Sequence, residues 1–229
     1  MRVWVTRSQP GAERQAAALR RCGFDVVVRP VLEIEPLPAA APAPFDKVIF
    51  LSEHAVRYGL EKLDLGQAQV FAVGRRTAEV LERAGVDVEV PQIASSEGLL
   101  NMPDLEKVAG SAILVVCGAG GRELLAAELS RRGAAVERLV CYRRRPSEGL
   151  DVDTAAIDAI VAGSGDGLEQ IARLWFGAGG PSGVALLVPS ARVAARAEAL
   201  GFSRVRDCGS AEVDAVIKQL DALGSTGVK

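Results

Sequence analysis

The stretch V-W-V-T-R-S-Q-P-G-A-E-R-Q-A-A-A-L-R-R-C-G-F-D-V runs from Val3 to Val26, and I-L-V-V-C-G-A-G-G-R-E-L-L-A-A-E-L-S-R-R-G-A-A-V repeats its plan from Ile113 to Val136. Gly11 matches Gly121, Glu13 matches Glu123, Leu19 matches Leu129, Gly23 matches Gly133 and Pro36 matches Pro146, all at one offset. A second echo pairs Asp46–Ser52 with Asp158–Ser164, and a third pairs Arg76, Ala78, Glu82 and Gly85 with Arg192, Ala194, Glu198 and Gly201. The order is kept while the offset grows slowly, as in a duplication with loop insertions. A short period would mean a solenoid. A period near half the chain predicts two similar lobes with a cleft between them.

Short Val-rich runs alternate with amphipathic stretches. The runs are Val3–Val5, Val26–Val28, Val48–Leu51, Val70–Val73, Val86–Val90, Ile113–Val116, Val136–Val140, Ala159–Ala162, Val184–Val188 and the segment at Val205. Near-continuous apolar runs of this length read as buried parallel strands. The stretches Glu13–Cys22, Arg75–Ala84, Glu123–Arg132 and Ala191–Leu200 each stop at a glycine, the usual residue just past a helix. The pattern predicts an α/β protein with a doubly wound parallel sheet in each lobe.

The lobes are not expected to be consecutive. Pro36–Pro44 reads P-L-P-A-A-A-P-A-P, which cannot be a helix or a central strand. Its echo Arg143–Gly149 is polar and turn-forming. The expected division is residues 1–33 plus 147–229 for one lobe and 45–140 for the other, joined by paired, two-stranded linkers at 34–44 and 141–146. The tail Gly224–Lys229 is expected to be disordered.

Composition narrows the function. The chain has 229 residues, 49% of them apolar, enough for two cores of about 100 residues each. With 27 basic and 29 acidic residues the net charge is −2 and no basic block exists, so nucleic acid is not the expected partner. The runs Arg20–Arg21, Arg131–Arg132 and Arg143–Arg145 read as solvated helix ends. No run reaches the length of a membrane span. With no signal-peptide pattern before Val3, the expectation is a cytoplasmic protein. The four cysteines, Cys22, Cys117, Cys141 and Cys208, lack metal-ligand spacing and read as reduced structural thiols. The single histidine, His54, excludes a multi-histidine metal site and reads as a loop or helix N-terminal residue rather than a catalytic base.

Ligands of parallel sheets gather beyond the carboxyl ends of strands, where helix N-termini present free N–H groups. Those ends carry Thr6-Arg7-Ser8, Ser52, Gly74–Thr77, Cys117–Arg122, Gly163–Gly165 and Pro189–Arg192. Hydroxyls, glycines and guanidinium groups prevail there, and carboxylates are nearly absent, which suits a polyanionic ligand. Singly, each Ser or Thr also reads as an ordinary helix cap. The C-G-A-G-G-R segment (Cys117–Arg122) lacks a full nucleotide fingerprint and reads as a helix entry that approaches a ligand closely through Gly118 and Arg122. Tyr142 lies in L-V-C-Y-R-R-R-P, where the chain is expected to cross between lobes. Its phenol can donate a proton without a metal, or simply pack at the interface.

Over residues 3–220 the chain resembles the uroporphyrinogen-III synthase family. The resemblance is carried by V-T-R-S around Thr6, V-I-F-L-S-E-H-A-V through Ser52, A-V-G-R-R-T-A around Thr77, S-S-E-G-L-L at Ser95–Leu100, V-C-Y-R-R after Val140 and A-G-S-G-D-G-L around Ser164. It implies a hydro-lyase acting on hydroxymethylbilane, a linear tetrapyrrole polycarboxylate, in heme biosynthesis. Loss of the terminal hydroxyl gives an azafulvene. Ring D then attacks through its substituted carbon, and a spiro intermediate recloses with ring D inverted. No cofactor or metal is implied. By position the resemblance assigns Tyr142 to hydroxyl departure, Ser52, Thr77 and Ser164 to cleft hydroxyls and Arg7 to the substrate. Ser8, Ser96, Gly118 and Arg122 are further substrate-binding candidates from their places beside strand ends and motifs. Where many members have G-P-T-T-A, this chain has Pro189–Ala194, P-S-A-R-V-A, so Ser190 and Arg192 take that place. A monomer is expected. The competing expectation is a two-lobed, hinge-bending binding module for a small polyanion, without catalysis.

Overall fold

In the computed structural model, residues 1–40, 42–121 and 123–225 are described. The strands are β1 (Arg2–Val5), β2 (Asp25–Val28), β3 (Leu32–Pro36), β4 (Lys47–Phe50), β5 (Gln69–Ala72), β6 (Ala112–Gly118), β7 (Ala135–Pro146), β8 (Ala159–Val161), β9 (Ala185–Val188) and β10 (Val205–Asp207). They form two sheets, ordered β10-β9-β8-β1-β2 and β3-β7-β6-β4-β5. The chain divides into one compact unit of Met1–Glu33 with the chain from Arg145 onward, and a second of Ile34–Arg144.

In the first unit all neighbouring strands run parallel. Alternate residues of each strand serve opposite faces. Trp4, Ile160 and Leu186 pack under the helices Leu168–Gly177 and Ala191–Ala199. Val3, Val5 and Leu187 pack under Gly11–Arg21 and Val213–Ser225. The last helix takes in Gly224 and Ser225, so the expected disordered tail begins too early; residues 226–229 lie outside the described ones. Trp4 is fully buried, 6.1 Å from Trp175 in a stacked pair, and its indole N–H is satisfied by the Arg29 carbonyl at 2.8 Å. A ring of this size buries roughly 150–250 Å², which makes the pair the heaviest part of this core.

In the second unit β4, β5, β6 and β7 are parallel. Val48, Phe50 and Val116 pack against the helices Glu53–Gly59 and Arg75–Arg83, while Ile49, Phe71 and Val115 pack against Leu99, Leu105 and Leu125. Arg132 does not end its helix in solvent as expected. Its guanidinium donates to the carbonyls of Leu100 (2.7 Å) and Leu105 (2.9 Å) and to Glu128 (2.9 Å), tying three helices together. Hydrogen bonds from Arg131 and Arg132 hold the Glu128 carboxyl down at about 2.

The echo in the sequence is an echo of topology. The order β9-β8-β1-β2 in one sheet is matched by β5-β4-β6-β7 in the other. Each of these four-strand runs therefore takes two strands from each copy of the repeat, and the fifth strand of each sheet, β10 or β3, adds a third from one copy. Gly23 and Gly133 also repeat the same helix ending. Both have positive φ (86° and 92°), and the next residue's N–H reaches back to Leu19 or Leu129 at 3.2 Å.

Two expected features differ. Val86–Val90 is not a strand. Only Glu89 pairs, by one bridge to Phe71, where the first unit has the full strand β10. Pro91 then follows with no N–H to continue a ladder. Arg143–Arg145 is not a helix end but part of β7, which runs unbroken to Pro146 beside β3.

Candidate functional site

The second unit gathers Ser52 and Gly118, at the carboxyl ends of β4 and β6, with Tyr142, which stands within β7 opposite Gly118; the three strands are neighbours in the sheet. Between β6 and β7 the register slips: Cys117 opposes Val140, but Gly118 opposes Tyr142. Cys141 is the extra residue of a bulge, a device that bends a strand and re-aims the side chain beyond it. Strict alternation would put Tyr142 on the face opposite Leu139 and Cys141. Instead all three pack on one face.

The Tyr142 hydroxyl lies 2.9 Å from Ser52 Oγ. Ser52 is the N-cap of Glu53–Gly59, and its Oγ accepts the Ala55 N–H at 3.0 Å. That bond occupies one lone pair and leaves the Ser52 proton and its other lone pair to face the phenol. His54 and Tyr58 flank the tyrosine ring with centroids at 5.4 and 6.3 Å. The Arg144 guanidinium lies over it, 5.8 Å from the centroid. Gly118 is tight against the phenol: a Cβ there would stand 2.5 Å from Tyr142 Cζ and 2.9 Å from its oxygen. Tyr142 is 2% exposed, so it is packed rather than presented on an open surface.

Thr77, expected beside these groups, sits in the first turn of Arg75–Arg83, 4% exposed, one of the buried residues of that helix with Ala78 and Leu81. Ser96 opens the helix Ser96–Leu100, but the capping hydroxyl is that of Ser95, which accepts the Gly98 N–H at 2.9 Å. Arg122 lies outside the described residues.

In the first unit, Arg7 and Ser8 follow β1, Ser164 follows β8, and Ser190 with Arg192 follow β9, again on adjacent strands. Arg7 runs over two glycines: a Cβ on Gly11 would stand 2.7 Å from its Nε, and one on Gly163 2.9 Å from its own Cβ. The Ser8 hydroxyl donates to the Leu32 carbonyl at 2.8 Å. Ser164 and Ser190 are N-caps by backbone conformation but make no side-chain capping bond. Arg192 and Ser164 are exposed, while Ser190 is half-buried. Sequence reasoning missed His54, Tyr58 and Arg144 as neighbours of Tyr142. The two-residue spacing from Tyr142 to Arg144 was the available signal, and the bulge had none.

A model of the family "Uroporphyrinogen-III synthase HemD" matches residues 13–218. The chain belongs to the uroporphyrinogen-III synthase family. The uroporphyrinogen-III synthases of Salmonella typhimurium strain LT2 and Escherichia coli strain K12 are each 31% identical to it over 245 residues, covering 96% of this chain and 100% of theirs. Among solved structures, uroporphyrinogen-III synthetase from Helicobacter pylori 26695 superposes with a TM-score of 0.67 at 15% identity, covering 97% of this chain and 98% of that one. A mutant uroporphyrinogen III synthase from the extremely thermophilic bacterium Thermus thermophilus gives 0.55 at 19% identity, covering 98% and 99%. At such identities these structures speak for the shared fold. The family is one of enzymes of tetrapyrrole biosynthesis. Among the described residues no helix is long and apolar enough to cross a membrane, and no cluster of three metal-ligating side chains occurs.

Proposed function

We propose that this chain converts hydroxymethylbilane to uroporphyrinogen III, a hydro-lyase reaction with ring closure and inversion of ring D. The observation that carries this reading, in a chain of this family, is the hydroxyl pair of Tyr142 and Ser52 at 2.9 Å. Ser52 is half-buried and Tyr142 buried, so the substrate's terminal hydroxyl meets the pair from the serine side. As its C–O bond breaks, that hydroxyl takes the Ser52 proton and leaves as water. Ser52 takes the Tyr142 proton in the same motion, and the negative charge rests on the phenol.

The cation left on the bilane, an azafulvene protonated on nitrogen, is then attacked by the substituted carbon of ring D. The spiro intermediate fragments and recloses with the ring turned over. The proton released when the new junction regains aromaticity returns through Ser52 to Tyr142, so the net small product is water. The steps take up no electrons. Most of the enzyme's task is to hold the two ends of the tetrapyrrole in the geometry of the inverted closure.

For the carboxylates we assign Arg7, Ser8, Ser164, Ser190 and Arg192 in the first unit and Thr77, Ser96, Gly118 and Arg122 in the second. The exposed Arg192 and Ser164 support this best; the buried Thr77 supports it least. The paired connections at 34–44 and 141–146 as linkers belong to the same proposal, supported by the proline spacing. So do a cytoplasmic location and a monomer. The four cysteines are free, which suits a reducing compartment. Large exposed apolar side chains among the described residues are the scattered Met1, Ile93 and Leu124.

The test is to supply freshly made hydroxymethylbilane, oxidise the products and separate isomers I and III by chromatography. Isomer III in excess is expected. Isomer I alone would overturn the reading.

A further inference from the structure

Arg143, Arg144 and Arg145 stand near the end of β7, and each has a different task. Arg143 makes a two-bonded pair with Glu35, both bonds at 2.9 Å, and Arg145 pairs with Glu148 at 3.0 Å. Arg144 follows Tyr142 by two residues and points to the same side of the strand, as the pleat requires. Its guanidinium stands 5.8 Å from the centre of the tyrosine ring. Also facing this ring among the described residues are His54 and Tyr58 from the helix Glu53–Gly59 and Gly118 of β6, with Ser52 at the hydroxyl and Cys141 next along the chain.

A cation over an aromatic face is attracted by the ring's quadrupole. The attraction grows when the ring becomes a phenolate, because a full negative charge is then delocalised into it. We propose that Arg144 is a positioning residue that lowers the cost of moving the proton off Tyr142. It acts through the ring and touches neither the departing hydroxyl nor Ser52. The proposal rests on the reading of Tyr142 as the source of that proton. Arg144 is exposed, and with a dielectric between about half that of water and that of water the Coulomb attraction at this distance corresponds to roughly a threefold to tenfold change in an equilibrium or rate.

The test reads the phenol directly. Tyr58→Phe leaves Tyr142 as the single tyrosine, because the chain has two. In that background the tyrosinate absorbance in the near ultraviolet is titrated with arginine, Arg144→Lys and Arg144→Gln. Expected is a shift of the tyrosinate absorbance to higher pH for Arg144→Gln and a smaller one for Arg144→Lys, which keeps the charge but not the planar group. With hydroxymethylbilane, kcat should fall roughly threefold to tenfold in Arg144→Gln with KM little changed. The fall should vanish in a Tyr142→Phe background. An unchanged titration in Arg144→Gln overturns the proposal. So does an effect confined to KM, which would make Arg144 a substrate contact. If Tyr142→Phe is fully active, the proton-source reading fails, whatever the titration shows. Circular dichroism of each variant separates these outcomes from loss of fold.

Discussion

Tyr142 and Gly118 face each other across β7 and β6, so closely that even one methyl group at position 118 would stand 2.5 Å from the phenol carbon. The phenol is held from three directions. Gly118 sets how far the ring can come, the bulge at Cys141 sets the side on which it lies, and Ser52 receives its hydroxyl at 2.9 Å.

The first prediction concerns that hydroxyl. Tyr142→Phe keeps the ring in its packing and removes only the oxygen. Formation of uroporphyrinogen III should slow by roughly 10²–10⁴-fold, the usual worth of a placed proton donor. The share of isomer I should rise, because azafulvene formed without guidance closes directly. Ser52→Ala should slow the reaction by a comparable factor and also destabilise the protein by about 1 kcal/mol, since it deletes the cap on the Ala55 N–H. The measurements are isomer ratios under single-turnover conditions and thermal unfolding. Full activity of Tyr142→Phe removes the phenol from the chemistry.

The second prediction concerns the glycine. Gly118→Ala should cost stability, because it forces a ring that is 2% exposed to shift within a close-packed core; overpacking of this kind costs about 1–3 kcal/mol. Activity should fall by more than the loss of folded protein explains, since the hydroxyl moves off Ser52. Combining Gly118→Ala with Tyr142→Leu removes the rigid ring and should recover stability but not activity. A stable, fully active Gly118→Ala would show that the ring has room the geometry denies.

Much of this was legible in the residues. The repeat from Val3 and Ile113 foretold two sheets of matching order, and the helix-ending glycines foretold Gly23 and Gly133 at positive φ. Ser52 was readable as a hydroxyl at a strand end, because a serine after an apolar run and before E-H-A-V is a cap. Three things were not readable. The Val86–Val90 run has the composition of a strand, but pairing is a tertiary matter, and only Glu89 finds a partner. The bulge at Cys141 leaves no mark in composition, yet it decides which face Tyr142 joins. Arg132 looked like a solvated charge because sequence does not show which carbonyls a long side chain will reach.

The last prediction uses the thiols. Cys141 is fully buried between the helix Glu53–Gly59 and the sheet, and burial pushes its thiol up to about 11; burial does the same to Cys208. The unfolded chain releases these protons near the ordinary value of 9.0. Between about 9 and about 11 the folded state therefore binds more protons than the unfolded one, and stability falls as pH rises through that window. Below it the contribution is whole. At neutral pH a maleimide should modify the exposed Cys22 quickly, while Cys141 reacts only through opening of the fold. Mass spectrometry of tryptic peptides over a time course reads both rates. Cys141→Ala should flatten part of the alkaline loss of stability in urea unfolding between those pH values. Native Cys141 labelling as fast as Cys22 would mean that the wall behind Tyr142 is open, and the packing that aims the phenol would have to be looser than the bulge and Gly118 make it.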